Sequence, residues 1–107
     1  MNVVRLGGFA WVDGELAKRK VVQCALSRVC GWCGESLGRP IAFAGDPAEV
    51  AAGEFHLPPM HATCAREAAG RMGPDHRVVS TGGFEFVRPT RDDPDPRVRC
   101  RPNSPIA

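Results

Sequence analysis

The sequence predicts a small α+β domain, and three observations predict it. At 107 residues the chain can bury only a limited fraction of its surface, so a metal or a disulfide is expected to staple it. Short β-branched and aromatic runs alternate with two Pro-free segments that carry apolar or helix-forming residues at helical spacing. Cysteine and histidine fall in two close pairs, Cys30 with Cys33 and His61 with Cys64, separated by a stretch punctuated with Pro and Gly.

Taken in order, Val3 to Val12 is β-branched and aromatic, interrupted by Gly7 and Gly8, and reads as a strand or bulged hairpin arm ending at the Asp13-Gly14 turn. Glu15 to Val29 sets Ala17, Val21, Ala25 and Val29 on one face at i, i+4 spacing, with Val22 and Leu26 beside them, which predicts a helix. Its run KVVQCAL also fits a strand with Val22, Cys24 and Leu26 on one face, and the pattern leaves both open. A Gly-flanked knuckle follows at residues 30 to 34. Pro40 then introduces the apolar strand IAFAG, closed by Gly45-Asp46-Pro47, and EFHL reads as a second strand ending at Pro58-Pro59, a pair that cannot donate to a ladder. The expected order is therefore knuckle, hairpin, helix.

That helix spans His61 to Met72, where Ala62, Ala65, Ala68 and Ala69 are strong helix formers and Gly73-Pro74 is the stop. Downstream, HRVVS, Thr81-Gly82-Gly83 and FEFV form the pattern of another hairpin, with Val78, Phe84 and Phe86 facing inward. From Arg88 onward five prolines, mixed charge and few apolar residues predict a flexible tail that cannot offset its ordering entropy. The expected organisation is one metal-stabilised domain over residues 1–87, its site within 28–73, and a Pro/Arg-rich tail over 88–107.

Net charge is +2, too small to argue for nucleic acid by itself. Twelve of the fourteen basic residues are Arg and Tyr is absent, a composition that fits a GC-rich bacterial or phage coding sequence. The ends are positive and the middle acidic: residues 41 to 75 carry two basic and five acidic side chains. Solvated charge accounts for this pattern, with a weak polyanion contact at either end as the sharper alternative. No run of eighteen apolar residues offers a membrane span, and the first twenty residues lack the charged start and apolar run of a signal peptide. A cytoplasmic location is expected, and there an odd set of five cysteines argues against structural disulfides and for a metal.

Joined, the two pairs read C-x2-C-x27-H-x2-C, from Cys30, Cys33, His61 and Cys64. Three thiolates and one imidazole are a closed tetrahedral set for a structural Zn2+, with bonds of about 2.0 to 2.3 Å. Gly31 and Gly34 let amides near the knuckle turn toward the sulfurs, and i, i+3 spacing puts His61 and Cys64 on one side of a helix start. Iron–sulfur ligation uses similar residues and stays open. A thioredoxin-like role for Cys30 and Cys33 needs a larger α/β domain than this length provides.

The pieces Cys30-Gly-Trp-Cys33-Gly and His61-Ala-Thr-Cys64, with a hairpin between them, resemble the treble-clef zinc finger over residues 30 to about 72. The wording CGWCGESLGRPIAF…PPMHATCAREAA is also similar to small zinc-finger proteins of actinobacteria and their phages. The resemblance implies a fold and leaves function open, because treble clefs serve in ribosomal proteins, nucleases and binding modules alike.

An enzyme is disfavoured. A hydrolytic zinc keeps a position open for water, whereas four protein ligands close this shell. The zinc-deaminase signature wants H-x-E ahead of its cysteines, and the chain has no H-x-E. His56 is a poorly spaced substitute ligand and reads as an exposed strand histidine; Cys24 reads as a small buried apolar residue and Cys100 as exposed and unpaired in the tail. The expected function is a non-enzymatic interaction or regulatory module with a protein partner. Nucleic-acid binding is the alternative, and an accessory enzyme subunit or small metal-dependent enzyme the third. Trp32, at the knuckle tip, is a candidate partner anchor or packs on Leu37 or Phe43, while Arg28, Arg39, Arg66 and Arg71 could line a phosphate-facing surface diluted by Glu35 and Glu67. Arg97, Arg99 and Arg101 could add a strand or a polyanion contact to a partner.

Overall fold

The computed structural model describes residues 8–104, which combine three helices with three two-stranded antiparallel sheets. The strand expected over Val3 to Val12 lies partly outside the described residues. Within them, β1 (Trp11–Val12) pairs with β2 (Glu15–Leu16) across Asp13 and Gly14, whose φ values of 54° and 83° make the left-handed turn that hairpins favour.

Helix α1 (Lys18–Ser27) settles the choice between helix and strand. Its buried residues are Val21, Cys24 and Ala25, spaced i, i+3, i+4, whereas Leu26 is 60% exposed, so the inward stripe is centred one position away from the predicted one. The helix ends at Arg28, which takes a left-handed conformation and leads into the knuckle.

Strand β3 (Ile41–Gly45) is buried along its whole length and organises the molecule. Period-two alternation divides its side chains between two cores. Ala42 and Ala44 pack with Cys30, Met60 and the alanines of α3 (Ala62–Met72), namely Ala65, Ala68 and Ala69. Ile41 and Phe43 face the other way, into a cluster with Ala25, Phe55 and Cys100. There Phe43 stacks on Phe55 at 5.6 Å between centroids and meets Phe84 edge-on at 5.3 Å.

Pairing differs from expectation. Strand β3 pairs with β4 (Arg77–Thr81), Ile41 opposite Thr81 and Gly45 opposite Arg77, rather than with residues 54–57. Between the two expected arms sits α2 (Pro47–Ala52), where a turn was read. Asp46 accepts from the Glu49 amide at 2.8 Å while the Glu49 side chain accepts from the Asp46 amide at 3.0 Å, a capping box with Pro47 at the first helical position. The chain returns toward β3 only at Met60, which exchanges two backbone bonds with Ala42 at 2.8 and 2.9 Å.

The second expected hairpin is also replaced. After β4 the chain bends at Gly82-Gly83 and continues as β5 (Phe84–Val87), which pairs with β6 (Arg99–Pro102), Phe86 opposite Cys100. Thr81, fully buried, accepts from the amides of Gly83 and Ser104 and holds the bend. Residues 88 onward are therefore not a free tail over their described part. Val98 and Cys100 are 5% and 1% exposed, and Phe55 exchanges backbone bonds with Cys100 at 2.9 and 2.8 Å. Low apolar content had suggested disorder, but two inward residues suffice because Arg99 and Arg101 between them pair with Asp93, Glu54 and Glu85.

Candidate metal centre

The knuckle is a tight turn closed by its own backbone. Val29 bridges Ser36, the Cys30 amide donates to Glu35 O at 2.8 Å, and the Gly34 amide donates to Cys30 O at 2.9 Å. Gly34 has φ 81°, the left-handed region where a side chain is strained. Gly31 is required by space: a Cβ there would lie 2.1 Å from Pro58 Cγ, while its amide donates to Pro59 O at 2.8 Å. The Pro58-Pro59 pair thus backs the knuckle and delivers Met60 and His61 beside it.

His61 is the N-cap of α3, and Cys64 is three residues on. These are the two positions whose side chains in a capping box each accept from the other's backbone amide, and here they carry candidate metal donors instead. The donor atoms of Cys30, Cys33, His61 and Cys64 lie within 4.8 Å of one another. Metal bonds of about 2.0 to 2.3 Å would set tetrahedral donors roughly 3.3 to 3.8 Å apart. Cys33 Sγ lies 3.4 Å and Cys64 Sγ 3.9 Å from His61 Nδ1, so the set fits a metal ion with small side-chain adjustment.

The surroundings prepare this set for a cation. His61 Nε2 is 2.9 Å from the Ser36 carbonyl, an acceptor only, so Nε2 carries the hydrogen and Nδ1 keeps its lone pair toward the cysteines. Cys30 Sγ accepts from the amides of Trp32, Cys33 and His61 at 3.4, 3.5 and 3.4 Å. Burial pushes the Cys30 thiol up, yet the amides outweigh it and the net shift is downward. Cys64 is pushed up to about 12, first by burial and then by the charge of Cys30 and Cys33 beside it. Three thiols packed this closely cannot all ionise unaided, and a divalent cation is the group that lets them.

Exposure grades across the site: Cys30 is buried, His61 and Cys64 half-buried, Cys33 exposed. Trp32 is half-buried and packs edge-on against Trp11 with centroids 5.5 Å apart. Arg28, Arg39, Arg66 and Arg71 are all exposed; Arg28 lies over the Phe84 ring at 5.0 Å and Arg71 pairs with Glu67 at 3.5 Å along α3. Cys24 is buried as expected, but Cys100 is buried too, in the aromatic core.

His56 also departs from its expected exposure. Its side chain is 15% exposed, with Nδ1 at 2.6 Å from Glu49 Oε2 and Nε2 at 3.0 Å from Asp95 Oδ2. Residues 49, 56 and 95 share no motif spacing; the Asp46…Glu49 capping signature was the one local clue that Glu49 is anchored. Among the described residues no helix is long and apolar enough to cross a membrane. No family model, curated protein or solved structure matches the chain.

Proposed function

We propose that the chain is a small zinc-stabilised interaction module of treble-clef type, with the zinc structural and a protein as partner. The observation that carries this reading is the convergence of three thiols and one tautomer-fixed imidazole. Four protein donors leave no position for a reactive water, which favours a structural over a hydrolytic metal, and soft sulfur ligands in tetrahedral number favour zinc. Support for the treble-clef reading comes from the knuckle, the antiparallel return of Met60 on β3, and a helix whose start supplies the last two ligands. Helix α2 is then an insertion between the two arms.

A protein partner is favoured over nucleic acid because several arginines are occupied within the molecule. Arg71, Arg97, Arg99 and Arg101 each face a carboxylate, and Arg28 covers Phe84. Two measurements test the reading. Protein purified without added metal should contain one zinc per chain, and its cobalt form should show thiolate charge-transfer and tetrahedral d–d bands; iron, or a cobalt site with bound water, overturns the structural-zinc assignment. Mixed-sequence DNA or RNA at 50 and 200 mM salt should give no anisotropy change, whereas binding that weakens steeply with salt would replace the protein-partner reading with the nucleic-acid one.

A further inference from the structure

We infer that His56 is a proton-operated latch that fastens the turn 95–97 across a cleft on the side of α2. Carboxylates at both ring nitrogens are satisfied together only by a ring that carries a hydrogen on each nitrogen. A neutral imidazole has one N–H and one lone pair, so it can donate to only one of two flanking carboxylates. His56 faces a carboxylate oxygen at each nitrogen, Glu49 at 2.6 Å and Asp95 at 3.0 Å.

Both carboxylates are committed acceptors. Glu49 already accepts the amides of Asp46 and His56, each at 3.0 Å. Asp95 accepts the Arg97 amide and Nε at 3.0 Å and Nη2 at 3.1 Å, and these Arg97 bonds hold its carboxyl well below the usual carboxylate range. The latch therefore places the second hydrogen on the ring, where each arm is a charge-assisted hydrogen bond.

The latch closes on a cleft of about 860 Å³. Lys18 faces it from α1, Asp46 and Glu49 from α2, and His76 from the approach to β4. Glu54 also lines it, as do Asp95, Arg97 and Arg99 of the C-terminal segment. Arg97 and Arg99 are turned to Asp95 and Asp93, so the nearest charges at the ring are its two carboxylates. When the ring loses its second proton to solvent, one nitrogen lone pair confronts a carboxylate. The Asp95 arm is the one that yields, because Glu49 is fixed by its own helix cap while Asp95 has Arg97 as a ready partner. Asp95, Pro96 and Arg97 line one wall of the cleft, while Val98 is buried and Asp93 is tied to Arg99, so it is the turn 95–97 whose movement widens the opening.

The test is a pH titration of the full 15N-labelled chain by NMR, from pH 5 to 9, with His56 assigned through His56→Gln. Expected is one histidine with both ring nitrogens protonated at the low end, losing one N–H as pH rises while the amides of Asp95 and Arg97 shift in step. In Asp95→Asn, whose amide can donate to the neutral ring, those amides should no longer follow the titration. A His56 ring with a single N–H throughout, one that stays doubly protonated to pH 9, or a titration that leaves the Asp95 and Arg97 amides unmoved would each overturn the latch.

Discussion

The two faces of β3 stabilise the molecule by different means. On the α3 side the strand presents only Ala42 and Ala44, and α3 answers with Ala65, Ala68 and Ala69, so strand and helix meet through small side chains, with Met60 the one large side chain fully buried there. On the other side Phe43, Phe55 and Phe84 interlock. Burying one such ring is worth about 1.5 to 3 kcal/mol, several times a methyl group. The four candidate metal donors stand on the alanine side. The cysteines divide likewise: Cys30, Cys33 and Cys64 converge with His61, whereas Cys24 and Cys100 are buried thiols outside that cluster. On the proposed reading, a short chain uses a hydrophobic core where its strand carries large side chains and a metal where it carries small ones.

The largest effect that would break this contrast lies on the alanine side. Structural zinc contributes about 10 to 16 kcal/mol in finger peptides, comparable with the whole net stability of a domain of about 5 to 15 kcal/mol. Cys64→Ser, or chelation of the parent, should abolish the cooperative thermal transition followed by circular dichroism. If the mutant melts like the parent, the alanine side holds without metal and the contrast is lost. Next comes Phe43→Ala, expected to cost about 3 to 5 kcal/mol through lost burial and a residual cavity. Its signature is separation of the two faces: denaturant unfolding shifts strongly while the cobalt spectrum of the folded protein stays that of the parent. A changed spectrum would mean that the aromatic core itself positions the ligands.

How much of this was legible in the sequence follows the range of the interactions. The four donors were, because a knuckle and a helix start are local structures whose spacing is written in consecutive residues. Helix α3 and strand β3 were readable for the same reason, whereas the α1 segment was readable only as helix or strand. Strand pairing was not: IAFAG has a nearer candidate in EFHL, but β3 takes β4, and nothing within either segment marks that choice. Helix α2 was written locally in Asp46-Pro47 and Glu49, but the same residues also read as a turn. Strand β6 escaped because its inward residues, Val98 and Cys100, are few, and Arg99 and Arg101 beside them share Glu54, a carboxylate far away in sequence. The triad of Glu49, His56 and Asp95 joins three segments that only the finished fold brings together.

Two smaller effects sharpen the comparison. Gly31→Ala should cost about 1 to 3 kcal/mol, since the new methyl would overlap Pro58 at 2.1 Å and force the knuckle away from the chain that carries His61. Because the strain falls on the alanine side, zinc affinity in a competition titration should drop along with the melting temperature; unchanged affinity would mean that Pro58 yields instead of the knuckle.

The smallest effect comes from raising pH, and its sign differs between the two faces. Metal binding requires thiolates, so zinc affinity rises with pH. The buried thiol Cys100 behaves oppositely. It is pushed up to about 12, first by burial and then by Cys24, whereas an unfolded thiol titrates at about 8.5. A folded value above the unfolded one means that this contribution to stability is complete below about 8.5 and lost progressively as pH climbs toward 12. At pH 9.5 the loss is roughly 1 kcal/mol, one unit above the unfolded value. Denaturant midpoints at pH 7.5 and 9.5 should therefore fall for the parent and fall less for Cys100→Ala, which removes the thiol that ionises. An equal fall in both would place the alkaline sensitivity elsewhere and leave the aromatic face indifferent to pH.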